Sequence, residues 1–207
     1  MVQPEKFVFE DDGMFPNSAL PVLVYREVID FAAIDPAAFL EERFAANDWT
    51  NSWRNGVYPF AHYHSTSHEV LGVFSGQARL RLGGNKIGRT IEVRRGDVIV
   101  IPAGVAHQKL EADSKFGVVG AYPGGRNWDV LRGDPDERPR AESNIANLPL
   151  PENDPLFGGE GPLKDWWRGD VRGQRSEVRG QKSEVRSQKS EDRGRMKEGS
   201  QERRAKS

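Results

Sequence analysis

The feature that most constrains this chain is the spacing of its histidines, glycines, proline and glutamate between residues 56 and 111. It reads G-x5-H-x-H-x4-E-x6-G through Gly56, His62, His64, Glu69 and Gly76, then G-x5-P-x-G-x2-H through Gly96, Pro102, Gly104 and His107. All four histidines of the chain lie inside this stretch. His62 and His64 sit two apart, so on an extended strand their imidazoles leave the same face and can reach one cation together. Glu69 follows the polar turn Ser65-Thr66-Ser67 and opens the apolar run Val70-Leu71-Gly72-Val73-Phe74, which predicts the returning strand of a hairpin that carries Glu69 back beside the histidine pair. His107 follows a Pro-x-Gly turn after Val98-Ile99-Val100-Ile101, so a later strand pair can bring a third imidazole to the same point. Three neutral imidazoles and one carboxylate make a shell for a borderline metal, with positions left for water or substrate.

These residues resemble both sequence motifs of the cupin superfamily. The first motif matches at every fixed position. The second matches through His107 and departs at its last position, where cupins usually carry Asn and this chain has Glu111. The resemblance implies an all-β fold, a double-stranded β-helix or jelly-roll barrel, with His62, His64, Glu69 and His107 as metal ligands inside it. Trp53-Arg54-Asn55-Gly56, Gly117-Val118-Val119-Gly120-Ala121-Tyr122-Pro123 and Asp154-Pro155-Leu156-Phe157-Gly158 are similar to phrases in a group of small bacterial single-domain cupins of unassigned role.

A lone buried histidine is more often a hydrogen-bonded core residue than a ligand, but three histidines and a glutamate at one motif's spacings reverse that preference. His68 is the exception. It adjoins Glu69, and neighbouring strand residues face opposite sides, so only one of the two enters the shell; the motif favours Glu69 and leaves His68 to a turn or supporting position. Tyr58 and Phe60 share parity with His62 and His64 and are candidates for the cavity wall or for ordinary core. Glu111 shares parity with His107, so it faces either the cavity or the surface at a strand end. Tyr58 and Glu111 are the candidate catalytic groups, with Lys109 a further possible acid or base.

The chain has 207 residues and a mean hydropathy of -0.69, which predicts one folded domain with appendages that do not pack. There is no cysteine, which excludes disulfides and thiolate chemistry and fits a reducing compartment. The first residues lack an apolar signal core and no run approaches a membrane span, so a cytoplasmic protein without membrane contact is expected. The net charge of -1 hides an asymmetry. Of 30 Lys/Arg and 31 Asp/Glu, 13 and 7 fall in residues 168–207, leaving 17 and 24 in residues 1–167. A body at -7 and a tail at +6, with no basic stripe interleaved with aromatics, argue against a nucleic-acid partner.

Along the chain, residues 1–50 predict strands and one helix packing on the barrel, residues 51–125 the barrel core with its metal site, and residues 126–167 a wrapping segment of the same domain. Asp35-Pro36 is a helix start and Ala37 to Ala46 carries Phe39, Leu40 and Phe44 on one stripe. Gln77 to Leu82 alternates as a half-buried antiparallel strand, and Leu156, Phe157, Leu163, Trp166 and Trp167 are where the otherwise polar wrap would dock. From residue 173 the chain repeats GQRSEVR, GQKSEVR, SQKSEDR. A heptad seam needs two apolar positions and this unit offers at most one, so residues 168–207 are expected to be disordered.

The function expected is that of a metal-dependent enzyme on a small polar molecule. The resemblance permits oxygenase, decarboxylase or isomerase chemistry with Mn, Fe, Ni, Zn or Cu, since all five accept imidazole and carboxylate. A non-catalytic module that binds or senses a metal and a small ligand is the competing expectation. Barrel edges of this kind are commonly covered by a second subunit, so a homodimer is expected, with the strands before Pro36 as the candidate cover.

Overall fold

The computed structural model describes residues 2–29 and 35–168. The repeats from residue 173 onwards, for which disorder was expected, lie outside them. Among the described residues nine strands form two antiparallel sheets. The larger has the order β1 (Glu5–Phe9), β2 (Ser18–Tyr25), β7 (Val98–Ile101), β4 (Glu69–Ser75), β9 (Gly117–Pro123), β3 (Trp49–Asn55); the smaller has β6 (Arg89–Arg94), β5 (Gln77–Leu82), β8 (His107–Ala112). An isolated bridge between His62 and His107 adds the segment around His62 to the free side of β8. This is the jelly-roll arrangement that the motifs implied. β1 and β2 belong to the larger sheet itself, with Leu23 to Tyr25 paired on Val98 to Val100, and β1 leaves its outer edge unpaired among the described residues.

Alternation along the strands divides the apolar residues between two layers. Leu71, Val73, Ala78, Leu80, Leu82, Ile91, Val93, Ile99 and Ile101 fill the space between the sheets. Val70, Val98, Val100, Val119 and Ala121 face the other way, under α1 (Pro36–Ala46) and under Leu156, Leu163 and Trp167 of the wrap. A single helical turn, α2 (Gly84–Ile87), links β5 to β6. Asp35 caps α1 as its residue type predicts, its Oδ1 accepting from the backbone of Ala37 at 3.0 Å and Ala38 at 3.1 Å. Leu40 and Phe44 of that helix press on the sheet where β4 has Gly72. A Cβ there would lie 2.8 Å from Leu40 Cδ2 and 2.9 Å from Phe44 Cζ, so the helix sits as close as it does because that side chain is missing.

The wrap is tied down by one buried carboxylate. Asp154 takes the Tyr25 hydroxyl at 2.5 Å and the backbone amides of Leu156 and Leu163 at 2.9 and 3.1 Å. Of the five docking residues expected, Leu156, Leu163 and Trp167 are buried, Trp166 is partly buried, and Phe157 is 40% exposed.

The structure adds one element and corrects one expectation. First, residues 138–147 of the wrap are helical (α3, Arg138–Asn147). The segment is polar, with Ala141 its one buried residue, and a turn at Pro135–Glu137 with a capping box between Asp134 and Glu137 leads into it. Second, β4 does not form a hairpin with the His62–His64 segment. It pairs with β7 and β9 in the larger sheet, whereas His62 pairs with His107 on the smaller one. The turn between them carries the chain from one sheet to the other, and Asp129 fixes it: its carboxylate accepts from the Ser65 amide at 2.6 Å, the Ser65 hydroxyl at 2.5 Å and the Thr66 amide at 3.3 Å.

Candidate metal centre

The histidines converge from the smaller sheet. His62 and His107 exchange backbone hydrogen bonds of 3.2 and 2.8 Å, which places their rings side by side with centroids 4.1 Å apart. His64, two residues on, accepts through its carbonyl from the Gly104 amide at 2.8 Å, and its ring lies 5.4 and 5.3 Å from those of His62 and His107. Gly104 is at φ +92°, and a Cβ there would lie 2.3 Å from the Asn17 carbonyl oxygen, so the motif glycine is required by both the turn and its neighbour. One ligand atom from each of His62, His64 and His107 lies within 4.8 Å of the others.

Glu69 reaches the same point from the opposite sheet. Its Oε1 is 3.5 Å from His64 Nε2 and its Oε2 is 3.2 Å from His107 Nε2. All four side chains are buried. The neighbouring strand positions behave as alternation requires: Glu69, Leu71 and Val73 point between the sheets, and Val70 points into the outer layer. His68 accordingly turns away, its ring centroid 4.7 Å from that of Trp167 and its Nδ1 accepting from the Ala103 amide at 2.9 Å.

Each of the three inward imidazoles is held at Nδ1 by a backbone carbonyl. His62 contacts Phe60 O at 3.1 Å, His107 contacts Val105 O at 3.2 Å, and His64 contacts Asp129 O. A carbonyl can only accept, so Nδ1 carries the proton and Nε2 of the neutral ring keeps its lone pair for the centre. Three such lone pairs and a carboxylate then face one another. Tyr122 supplies a single donor, its hydroxyl giving a hydrogen bond of 2.9 Å to Glu69 Oε1, while Glu69 Oε2 is buried and makes none. A cluster of acceptors with one buried oxygen unsatisfied fits a cation.

The buried groups also shift one another's ionisation. Burial lowers the His62 pKa to about 3, and His107 and His64 add to the shift, so its ring stays neutral. Burial opposes charge on His64 too, but Glu69 outweighs it and the pKa is raised. For Glu69 burial favours the acid form, and His64 and His107 overcome this to hold the carboxyl below the usual carboxylate range.

The centre opens to a cavity of about 200 Å³ walled by Trp53, Val57, Tyr58, Leu71, Tyr122 and Trp128. Tyr58 stands at its mouth, 49% exposed, stacked on Phe60 at 4.9 Å and edge-on to His62 at 5.0 Å. Glu111 is not at the cavity. A bulge in β8 pairs Leu80 with Lys109 but Arg79 with Glu111, so the parity counted from His107 is lost after Lys109. Glu111 follows Arg79 to the outer face, where the two pair at 3.2 Å with the carboxylate 69% exposed.

Five residues at the site were given no role there from the sequence. Trp53 Nε1 donates to the Tyr122 hydroxyl at 2.8 Å, and Trp128 stacks on the Tyr122 ring at 4.3 Å. Gly120 makes the first contact possible, since a Cβ there would lie 2.3 Å from the Trp53 indole. With Asp129, which holds both the turn and His64, these residues orient the ligands. Trp53, Gly120 and Tyr122 fall in phrases noted for their resemblance, but Asp129 carries no local signal.

Comparisons with known proteins identify the family. Residues 55–115 match a cupin domain model. Over 166 residues the chain is 40% identical to the uncharacterized protein YjlB of Bacillus subtilis (strain 168), covering 80% of this chain and 97% of that one. Similar solved structures include an acireductone dioxygenase from Bacillus anthracis with a cadmium ion in its active centre, at 15% identity over 49% of this chain and 77% of that one, TM-score 0.35. A TDP-quinovose 3,4-ketoisomerase from Campylobacter jejuni matches at 15% identity over 47% and 75%, TM-score 0.35. An 11S globulin from Wrightia tinctoria matches at 22% identity over 38% of this chain, TM-score 0.32, and the chain spans only 21% of that protein's length. With both motifs in place, a matching domain model and a relative aligned along nearly its whole length, this chain belongs to the cupin superfamily.

Proposed function

We propose that this protein is a metal-dependent enzyme acting on a small polar molecule in the cavity beside His62, His64, Glu69 and His107. The observation that carries this reading is the convergence of three carbonyl-anchored imidazoles on a buried carboxylate whose Oε2 has no hydrogen bond. These four side chains would hold a divalent transition ion, Mn, Fe, Ni, Zn or Cu, with Nε2 of each histidine and the Glu69 carboxylate as donors. Such an ion, when bound, supplies a Lewis acid beside the oxygen atoms of a substrate, or a redox centre if its oxidation state can change. Tyr122 orients Glu69 through its hydroxyl, Trp53 orients Tyr122, and the apolar wall of Val57 and Leu71 limits water around the reacting molecule. Tyr58, at the mouth, presents a phenol to whatever enters. The reaction class is oxygenase, decarboxylase or isomerase.

The position of Glu111 favours a second reading, a non-catalytic module that binds or senses a metal and a small ligand. The carboxylate nominated for acid–base work lies on the outer face, so proton transfer at the cavity would fall to Tyr58, Tyr122 or Lys109. One experiment separates the two. Protein purified without a histidine tag is analysed for metal, then incubated in air with a panel of small hydroxy, oxo and dicarboxylic acids and followed by mass spectrometry. Conversion of at least one compound by the metal-loaded chain, and by neither the chelator-stripped chain nor Glu69→Gln, is the expected result. A metal-loaded chain that leaves every compound intact while binding one of them establishes the binding module.

A further inference from the structure

We infer that Lys109 is the residue that selects the ligand of this cavity, and that the ligand is a small carboxylate. This rests on the reading of the cavity as the binding site. The bulge that carries Glu111 to the surface leaves Lys109 on the face that looks between the sheets, at the rim of the cavity beside its lining residues Gly56 and Tyr58. Its strand partner is Leu80, which is buried between the sheets, and directly paired residues of antiparallel strands project from the same face. Lys109 therefore shares that face with His107, whose partner is Leu82. Its backbone amide is fixed to the Tyr58 carbonyl at 2.9 Å, at the cavity mouth. Its ammonium lies over Gly56 in the cavity wall, 3.6 Å from where a Cβ of that residue would be.

Lys109 is partly buried, and its ammonium has no hydrogen-bond or ion-pair partner among the described residues. Arg54, the cation in the cavity lining, differs in this respect: Glu41 takes it in two hydrogen bonds of 2.9 and 2.6 Å, and Asp35 takes a third at 3.3 Å. Among the described residues Glu69 is the only carboxylate lining the cavity. A divalent ion on the four ligands gives the centre a net charge of about +1, and Lys109 adds a second positive charge at the rim, so an entering anion is drawn from both ends of the cavity. A volume of about 200 Å³ equals roughly seven waters, which admits a short mono- or dicarboxylate and excludes a nucleotide or peptide. Tyr122 and Trp128, which also line the cavity, offer aromatic surface to its carbon skeleton.

The test is titration calorimetry of malonate and succinate into the full chain, both zinc-loaded and chelator-stripped, with malonamide and succinamide as neutral isosteres. Four proteins are compared: wild type, Lys109→Met, Lys109→Arg and Glu111→Gln. Lys109→Met should bind the dicarboxylates at least tenfold more weakly than wild type while keeping its zinc content and melting temperature. Lys109→Arg should recover most of the loss, Glu111→Gln should match wild type, and the diamides should bind no better than Lys109→Met binds the acids. Equal binding by wild type and Lys109→Met, or no dicarboxylate binding by wild type at millimolar concentration, overturns the inference. A wild type that takes up no zinc overturns the metal centre instead, and the stripped titrations then still decide the role of Lys109.

Discussion

Changing Glu69 to glutamine and His68 to alanine should cause opposite failures, although the two residues are adjacent. Alternation along β4 turns Glu69 towards the three imidazoles and His68 towards Trp167. Glu69→Gln preserves volume but replaces an anionic donor in direct contact with the centre by a neutral amide. Substitutions of residues that only support the ligands typically cost ~10–100-fold in metal affinity, so this one should cost at least ~100-fold with little change in melting temperature. His68→Ala leaves the Ala103 amide unpaired in a buried place, at about 1–3 kcal/mol. It also opens a cavity against Trp167 at roughly 2 kcal/mol. In a folded body of this size each kcal/mol moves Tm by about 2–4 °C, so a fall on the order of 10 °C is expected with zinc content retained. The assay is metal per chain after dialysis against a weak chelator, with calorimetric melting of the same samples. If His68→Ala empties the site while Glu69→Gln keeps it full, β4 is placed one residue out of register and the centre is four histidines without a carboxylate.

Burial holds the His68 pKa at about 3, with Arg126 adding to the shift, so the folded state refuses a proton that the unfolded chain accepts. Stability should therefore decline as pH falls from about 6.5 towards 3, by up to ~1.4 kcal/mol per pH unit from this residue. Denaturant midpoints between pH 6 and 4 should fall more steeply in wild type than in His68→Ala; identical slopes would remove His68 as a source of the acid sensitivity. Gly72→Ala puts a methyl 2.8 Å from Leu40 Cδ2 and should destabilise by about 1–3 kcal/mol through displacement of α1, read by chemical denaturation, with an unchanged midpoint as the refuting result. Removing residues 173–207 should change neither metal content nor melting temperature, because their seven-residue unit has no apolar seam.

Patterns carried by near neighbours in the chain are legible in the sequence itself. The Asp35-Pro36 start of α1, the in-out alternation of Gln77 to Leu82, and the placing of His62, His64 and His107 together depend on spacing and residue type. So does the choice of Glu69 over His68, since successive strand residues face opposite sides. What stayed open or failed was whatever depended on register between distant segments. The single extra residue in β8 decided for the outer face of Glu111, which parity had left open, and kept Lys109 on the face between the sheets, and no local feature of His-Gln-Lys-Leu-Glu announces a bulge. Tyr122, Trp53 and Asp129 acquire their roles only when β9, β3 and the loop after β9 close over the centre. A side chain's periodicity follows from backbone geometry over a few residues, but its partner across a sheet is set by which of several pairings buries the most apolar surface and leaves the fewest polar groups unmet. That choice belongs to the tertiary structure alone.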